Sequence, residues 1–124
     1  MSRRLVCIED DPEVTELMRL IVARHGFELL EARNGLRGIE MVKETQPDLV
    51  LLDLMMPGLD GWEVFDQLKS NPETKNVPII IVTARAHFDD RVAEMRAAND
   101  GNLLTKPFTP AQLIQAINRI LRIS

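Results

Sequence analysis

The pattern that most limits what this chain can fold into is an alternation of short apolar runs with segments of helical period. The runs lie at 3–8, 27–32, 48–53, 78–84 and 102–105, and the helical segments at 11–26, 36–45, 61–70, 89–98 and 109–121. Strand-then-helix repeated five times predicts an α/β protein: a parallel sheet with right-handed crossovers and helices on both faces. DLVLLD (48–53) and PIIIVTA (78–84) are nearly all apolar, as strands covered on both sides must be. FELLEA (27–32) carries two glutamates and suits an outer position. Five such units favour a doubly wound sheet of order 2-1-3-4-5, which binds ligands at the carboxyl ends of its strands, beside the switch point between strands 1 and 3.

Local chemistry places the helix ends. Asp11 reads as an N-cap with Pro12 at the first helical position, where a missing N–H costs nothing. Val14, Leu17, Met18, Ile21 and Val22 then follow one helix face, with His25 in the last turn and Gly26 as the C-cap. The second helix must stop near Gln46, because Pro47 follows. In the last helix Thr109 caps, Pro110 takes the first position, and Leu113, Ile114, Ile117, Ile120 and Leu121 form the buried stripe.

With 124 residues, no repeat and no linker, the chain reads as a single domain over 1–124. Its 45% apolar and 27% charged residues are an ordinary globular balance. A net charge of −4 without a basic cluster argues against direct nucleic-acid binding. No apolar stretch reaches membrane-spanning length, and LVCIEDD after MSRR is too short for a secretory leader. The single cysteine, Cys7, cannot form an internal disulfide and suits a reducing compartment, so the expected location is the cytoplasm.

The polar residues that interrupt the strands fall at their carboxyl ends. Glu9, Asp10 and Asp11 follow the first run, Asp53 ends the third, Thr83 lies at the end of the fourth, and Lys106-Pro107 follow the fifth. In the expected strand order these converge on one edge. Two carboxylates ~4 Å apart repel by about 4 kcal/mol at an intermediate effective dielectric. They must share a proton or gather a cation. A small set of oxygen donors favours Mg²⁺ (or Mn²⁺), and no histidine or cysteine pattern suggests zinc. A hard cation, a lysine and a hydroxyl donor around one aspartate suit transfer of a phosphoryl group to that carboxylate. Asp11 is assigned to the helix cap rather than to this cluster.

EDD (9–11), DLMMPGLDGWEV (53–64), VTA (82–84) and LTKPF (104–108), in this order across the chain, resemble the receiver domain of two-component response regulators. The resemblance implies the flavodoxin-like (β/α)5 receiver fold with Asp53 as phosphoacceptor. It also implies a metal site of Asp10, Asp53, the backbone carbonyl of Met55 and, through water, Glu9. Thr83 matches the switch hydroxyl and Lys106 the lysine that contacts the phosphoryl group, followed by a cis peptide to Pro107. A histidine kinase or phosphotransfer protein would be the donor, and a downstream protein or output domain the reader. The face of the fourth helix, fifth strand and fifth helix would switch, with room for a phosphorylation-dependent dimer. Such a domain catalyses only its own phosphorylation and dephosphorylation and is not otherwise an enzyme.

The sequence departs from the receiver pattern in NDGNLLTKPF (99–108). Leu103 stands where an aromatic is usual, and Asn99-Asp100 replace Gly-Ala. Leucine has neither ring nor phenolic hydroxyl, which opens the alternative of a receiver-like scaffold with impaired switching. A Mg²⁺-dependent phosphohydrolase is the other alternative, against which weighs the lack of a cap domain; no glycine-rich phosphate loop follows the first strand to suggest a flavin carrier. Met55 and Arg85 flank the site at positions that tune phosphoryl lifetime in the family. His25 and His87 read as helix-end and loop residues, Met56 as core filling, and Gly58 and Gly61 as turn residues. Trp62, the single tryptophan, lies just past the loop after Asp53, and its fluorescence is expected to change when Mg²⁺ binds.

Overall fold

The computed structural model describes residues 3–56, 58, 60–84, 90–97 and 102–123. Arg85, His87, Asn99 and Asp100, and the ends of the fourth helical segment at 89 and 98, lie outside them. The elements follow in the order β1 (Arg3–Ile8), α1 (Pro12–Ala23), β2 (Phe27–Ala32), α2 (Gly35–Thr45), β3 (Leu49–Asp53), α3 (Gly61–Ser70), β4 (Ile79–Thr83), α4 (Asp90–Ala97), β5 (Leu103–Thr105) and α5 (Pro110–Leu121). All five strands are parallel, in the order β2-β1-β3-β4-β5, as the alternation predicts. FELLEA is indeed an edge strand.

Alternation along the central strands divides the interior in two. Leu5, Cys7, Leu49, Leu51, Ile80 and Val82 face α1 and α5, meeting Met18, Val22, Leu113 and Ile117. Val6, Ile8, Val50, Leu52, Ile79 and Ile81 face the other way, meeting Ile39 and Val42 of α2, Val64 and Leu68 of α3, and Val92 of α4. Every residue of β3 and β4 is buried, so each aliphatic side chain there contributes ~1.5–3 kcal/mol of transfer free energy. That double coverage makes the central strands a stiff mount for whatever stands at their ends.

The caps hold α1 and α5 as expected. The Asp11 side chain accepts from the Glu13 N–H at 2.9 Å, and Thr109 with Gln112 completes a reciprocal capping box. Two caps escaped the sequence reading: Asn34 accepts from the Arg37 N–H at 2.8 Å, and Asp60 from the Trp62 N–H at 3.0 Å. The other end of α1 differs from expectation. The helix stops at Ala23 with Arg24 as C-cap, so His25 and Gly26 belong to the following turn, where Gly26 takes φ +84°. Leu17 is a second correction, for it is 52% exposed. It sits one step of about 100° from Met18, and the sheet covers only the narrower stripe of Thr15, Met18, Ile21 and Val22. Leu113, Ile114 and Ile117 are buried, while Ile120 and Leu121 are half-buried against the same core. Among the described residues, no helix is long and apolar enough to cross a membrane.

Candidate functional site

The site is built where β1 and β3 end side by side. Ile8 pairs with Leu52, and one residue further on stand Glu9 and Asp53. The Glu9 N–H donates to the Ala32 carbonyl at 3.0 Å, which ties the first residue past β1 to the edge strand. Asp53 is still inside β3 and pairs with Val82 of β4. Both carboxylates are therefore held by backbone, not by flexible loops, and both are buried.

Glu9, Asp10 and Asp53 each bring an oxygen within 4.8 Å of the others. Lys106, at the end of β5, reaches across to them: its Nζ lies 2.6 Å from Glu9 Oε1 and 3.6 Å from Asp53 Oδ2. The remaining oxygens find backbone donors, Asp10 N–H on Glu9 Oε2 at 3.1 Å and Met55 N–H on Asp53 Oδ1 at 3.0 Å. Lys106 is positioned in turn by its own N–H, which donates to the Thr83 carbonyl at 2.9 Å. Thr83 is buried one residue past the Val82–Asp53 pair. The peptide from Lys106 to Pro107 is cis, as the resemblance implied.

Burial disfavours charge here, and the acids press on one another. Desolvation, reinforced by Asp53, pushes the Glu9 carboxyl up to about 8 against the opposing pull of Lys106. Burial alone would pull Lys106 down; its bond to Glu9 and the charge of Asp53 outweigh that and hold it above its ordinary value. A cluster with three carboxylates and one lysine is short of positive charge. All its side-chain donors are hard oxygens, the chemistry that fits Mg²⁺ and not a softer metal.

The structure thus brings together Glu9, Asp10, Asp53 and Lys106, with Thr83 and Met55 adjoining them. Asp11 stays outside the cluster, on its helix cap. Lys106 and Glu9, 97 positions apart, make the shortest contact of the site, a pairing that no local signal marks. Other candidates settle into the fold. Met56 is buried in the core facing α2 and α3, and Leu103 packs partly against the same core. Cys7 is buried, its Sγ 3.5 Å from Met18 Sδ; burial and then Glu9 push its thiol up, which disfavours the thiolate. The Trp62 ring packs edge-on to Phe65 and lies 4.2 Å from the Arg91 guanidinium.

Comparison with known proteins points the same way. Residues 5–118 match the response regulator receiver domain family. The phosphate regulon transcriptional regulatory protein PhoB of Escherichia coli is 33% identical over 122 residues, 98% of this chain and 53% of its own length. Protein PilH of Pseudomonas aeruginosa is 34% identical over 119 residues, 95% of this chain and 97% of its own. In fold, the chain is similar to the receiver domain of the sensor histidine kinase PA1611 of Pseudomonas aeruginosa, whose structure has a magnesium ion coordinated in the active-site cleft. The TM-score is 0.86 at 24% identity, covering 98% of this chain and 99% of that one. The chain spans about half the length of the PhoB proteins it matches.

Proposed function

The chain belongs to the response regulator receiver domain family, and on that premise we propose that Asp53 accepts a phosphoryl group from a histidine kinase or phosphotransfer protein in a Mg²⁺-dependent reaction. The observation that carries this is the convergence of three carboxylates and Lys106 on one strand edge, with Asp53 held rigidly among them. In the transfer, an Asp53 oxygen forms a bond to phosphorus as the bond from phosphorus to the donor's imidazole nitrogen breaks. The electron pair stays on that nitrogen. Lys106, already beside Asp53, pairs with an oxygen of the incoming group, and the Thr83 hydroxyl donates to another.

Asp10, Asp53, the Met55 carbonyl and, through water, Glu9 would hold the Mg²⁺ (or Mn²⁺), in keeping with the oxygen-only donor set and the magnesium in the PA1611 cleft. When bound, the ion supplies positive charge to the transferring phosphoryl oxygens. Residues 1–124 act as one receiver domain in the cytoplasm, a location that suits the buried free thiol of Cys7. Phosphorylation is read by a downstream protein or output domain on the face of α4, β5 and α5, which can also pair two phosphorylated copies. No direct nucleic-acid or membrane contact is needed. Leu103 lacks the aromatic ring usual at its position, so the rearrangement rests on Thr83 and the packing of α4. The domain catalyses only its own phosphorylation and dephosphorylation.

Incubation with acetyl phosphate and Mg²⁺, followed by intact-mass measurement, tests the proposal. The wild-type chain gains one phosphoryl group, and chelating the metal abolishes the gain. An equal gain in Asp53→Asn, or none in the wild type, would sink the assignment.

A further inference from the structure

Among the described residues, Gly38 and Gly61 have no room for a side chain, and their neighbours differ in kind. A Cβ on Gly38 would lie 2.5, 2.7 and 3.0 Å from Cδ1, Cγ1 and Cγ2 of Ile8, all of them side-chain atoms and none backbone. A Cβ on Gly61 would lie 2.5 Å from the Leu54 Cα and 3.0 Å from both the Asp53 carbonyl oxygen and the Leu54 carbonyl carbon. Every one of those atoms is backbone of the segment that carries the phosphoacceptor. We propose that Gly61 is a positioning residue for the metal and phosphoryl site: its missing side chain lets the start of α3 seat against Asp53–Leu54 and fixes where that backbone runs. The inference rests on the receiver reading of Asp53.

Neither side of the contact can yield cheaply. Leu54 is buried among the side chains facing α2 and α3, and its N–H donates to the Val82 carbonyl at 3.3 Å. The next N–H, of Met55, is spent on Asp53 Oδ1. On the helix side, Val64 and Leu68 anchor α3 in the same core, and Asp60 caps its first turn. Gly61 is itself buried and its φ is not left-handed, so space rather than backbone conformation demands glycine here. A methyl group at 61 would push the 53–55 backbone, and with it the Asp53 carboxylate and the Met55 carbonyl, out of register with Asp10. Misplacing supports of this kind typically weakens metal binding about 10- to 100-fold.

The test compares wild type, Gly61→Ala and Gly38→Ala, titrating each with MgCl₂ by calorimetry and melting each without metal. Both variants are expected to melt lower than wild type, because both overpack a core. Only Gly61→Ala is expected to bind Mg²⁺ roughly 10-fold or more weakly, and to take up phosphoryl from acetyl phosphate correspondingly slowly. Wild-type affinity in Gly61→Ala, or an equal loss in Gly38→Ala, overturns the inference and leaves the receiver reading standing. A wild-type chain that neither binds Mg²⁺ nor gains phosphoryl mass overturns the reading itself. Should Gly61→Ala fail to fold, amide spectra of the wild type decide. Mg²⁺ is expected to shift the Gly61 signal together with those of Leu54 and Met55 while Gly38 stays still, and an unmoved Gly61 signal overturns the inference.

Discussion

Lys106 at the strand ends and Arg91 between α3 and α4 each hold carboxylates from another part of the chain, in contrasting surroundings. Lys106 faces Glu9, of whose side chain only 2% is exposed, and Asp53 behind it. Arg91 bonds both oxygens of Asp66, at 2.5 and 3.1 Å, while lying over the rings of Trp62 and Phe65; its side chain is 41% exposed and that of Asp66 58%. By geometry alone the two-pronged Arg91 pair is the better interaction. Water decides otherwise. An exposed pair is screened and contributes little, whereas a buried one leaves a desolvated polar group without its partner when either side goes. The surface pair fastens two helices; the buried set confines charge that the fold by itself does not neutralise, which is what suits it to the proposed chemistry.

Substitution at the two aspartates should separate the regions most sharply. Asp53→Asn is expected to abolish phosphoryl uptake from acetyl phosphate entirely, and Asp66→Asn to leave it unchanged, both read by intact mass. Uptake lost in both would erase the distinction. Next in size, Lys106→Met should cost about 1–3 kcal/mol of stability in urea unfolding, because Glu9 loses its partner in a buried place. Arg91→Met should cost about 1 kcal/mol or less, and its clearer signature is a shift in Trp62 emission as the cation leaves the indole face.

Acid and base should also act on the two regions with opposite sign. Folding raises the Glu9 carboxyl from 4.5 to about 8, so between those values the folded chain keeps a proton that the unfolded chain has released. Its contribution is fully present below pH 4.5 and is lost as pH rises through 8. Denaturation midpoints across that window should therefore fall with pH, and Glu9→Gln should flatten the trend; a slope unchanged by the substitution would assign it to another group. Arg91 holds Asp66 below its ordinary 3.8, so this pair helps above that value and is lost as pH falls through the lowered one. Being exposed and screened, it should give the smallest effect of all, visible as a Trp62 emission change in acid.

Much of the fold was legible because it depends on neighbours in the chain. The apolar runs, the caps Asp11 and Thr109, and the prolines at 12 and 110 act within a few residues of themselves. The site was legible for a related reason. Charged residues at the ends of apolar strands stand out from their own segments, and parallel connections bring all those ends to one edge. Leu17 shows where this kind of reading fails. Its spacing fits the buried face of α1 as well as that of Met18, yet only the width of the covering sheet decides which of them meets water. His25 and Gly26 fell into a turn because the chain leaves α1 early to enter β2, which no local signal marks.

What the sequence by itself determined was therefore periodic and local: five strand–helix units, their order of layering, and which acids stand at strand ends. Only the tertiary structure decided that Lys106 grips Glu9 across 97 positions, that Asp53 Oδ1 is held by Met55, and that Gly61 must lack a side chain against Leu54. The physical reason is range. Period, capping and polarity act over one or two turns of chain, whereas burial of a charge and close approach of two backbones exist only once distant segments share the same few ångströms.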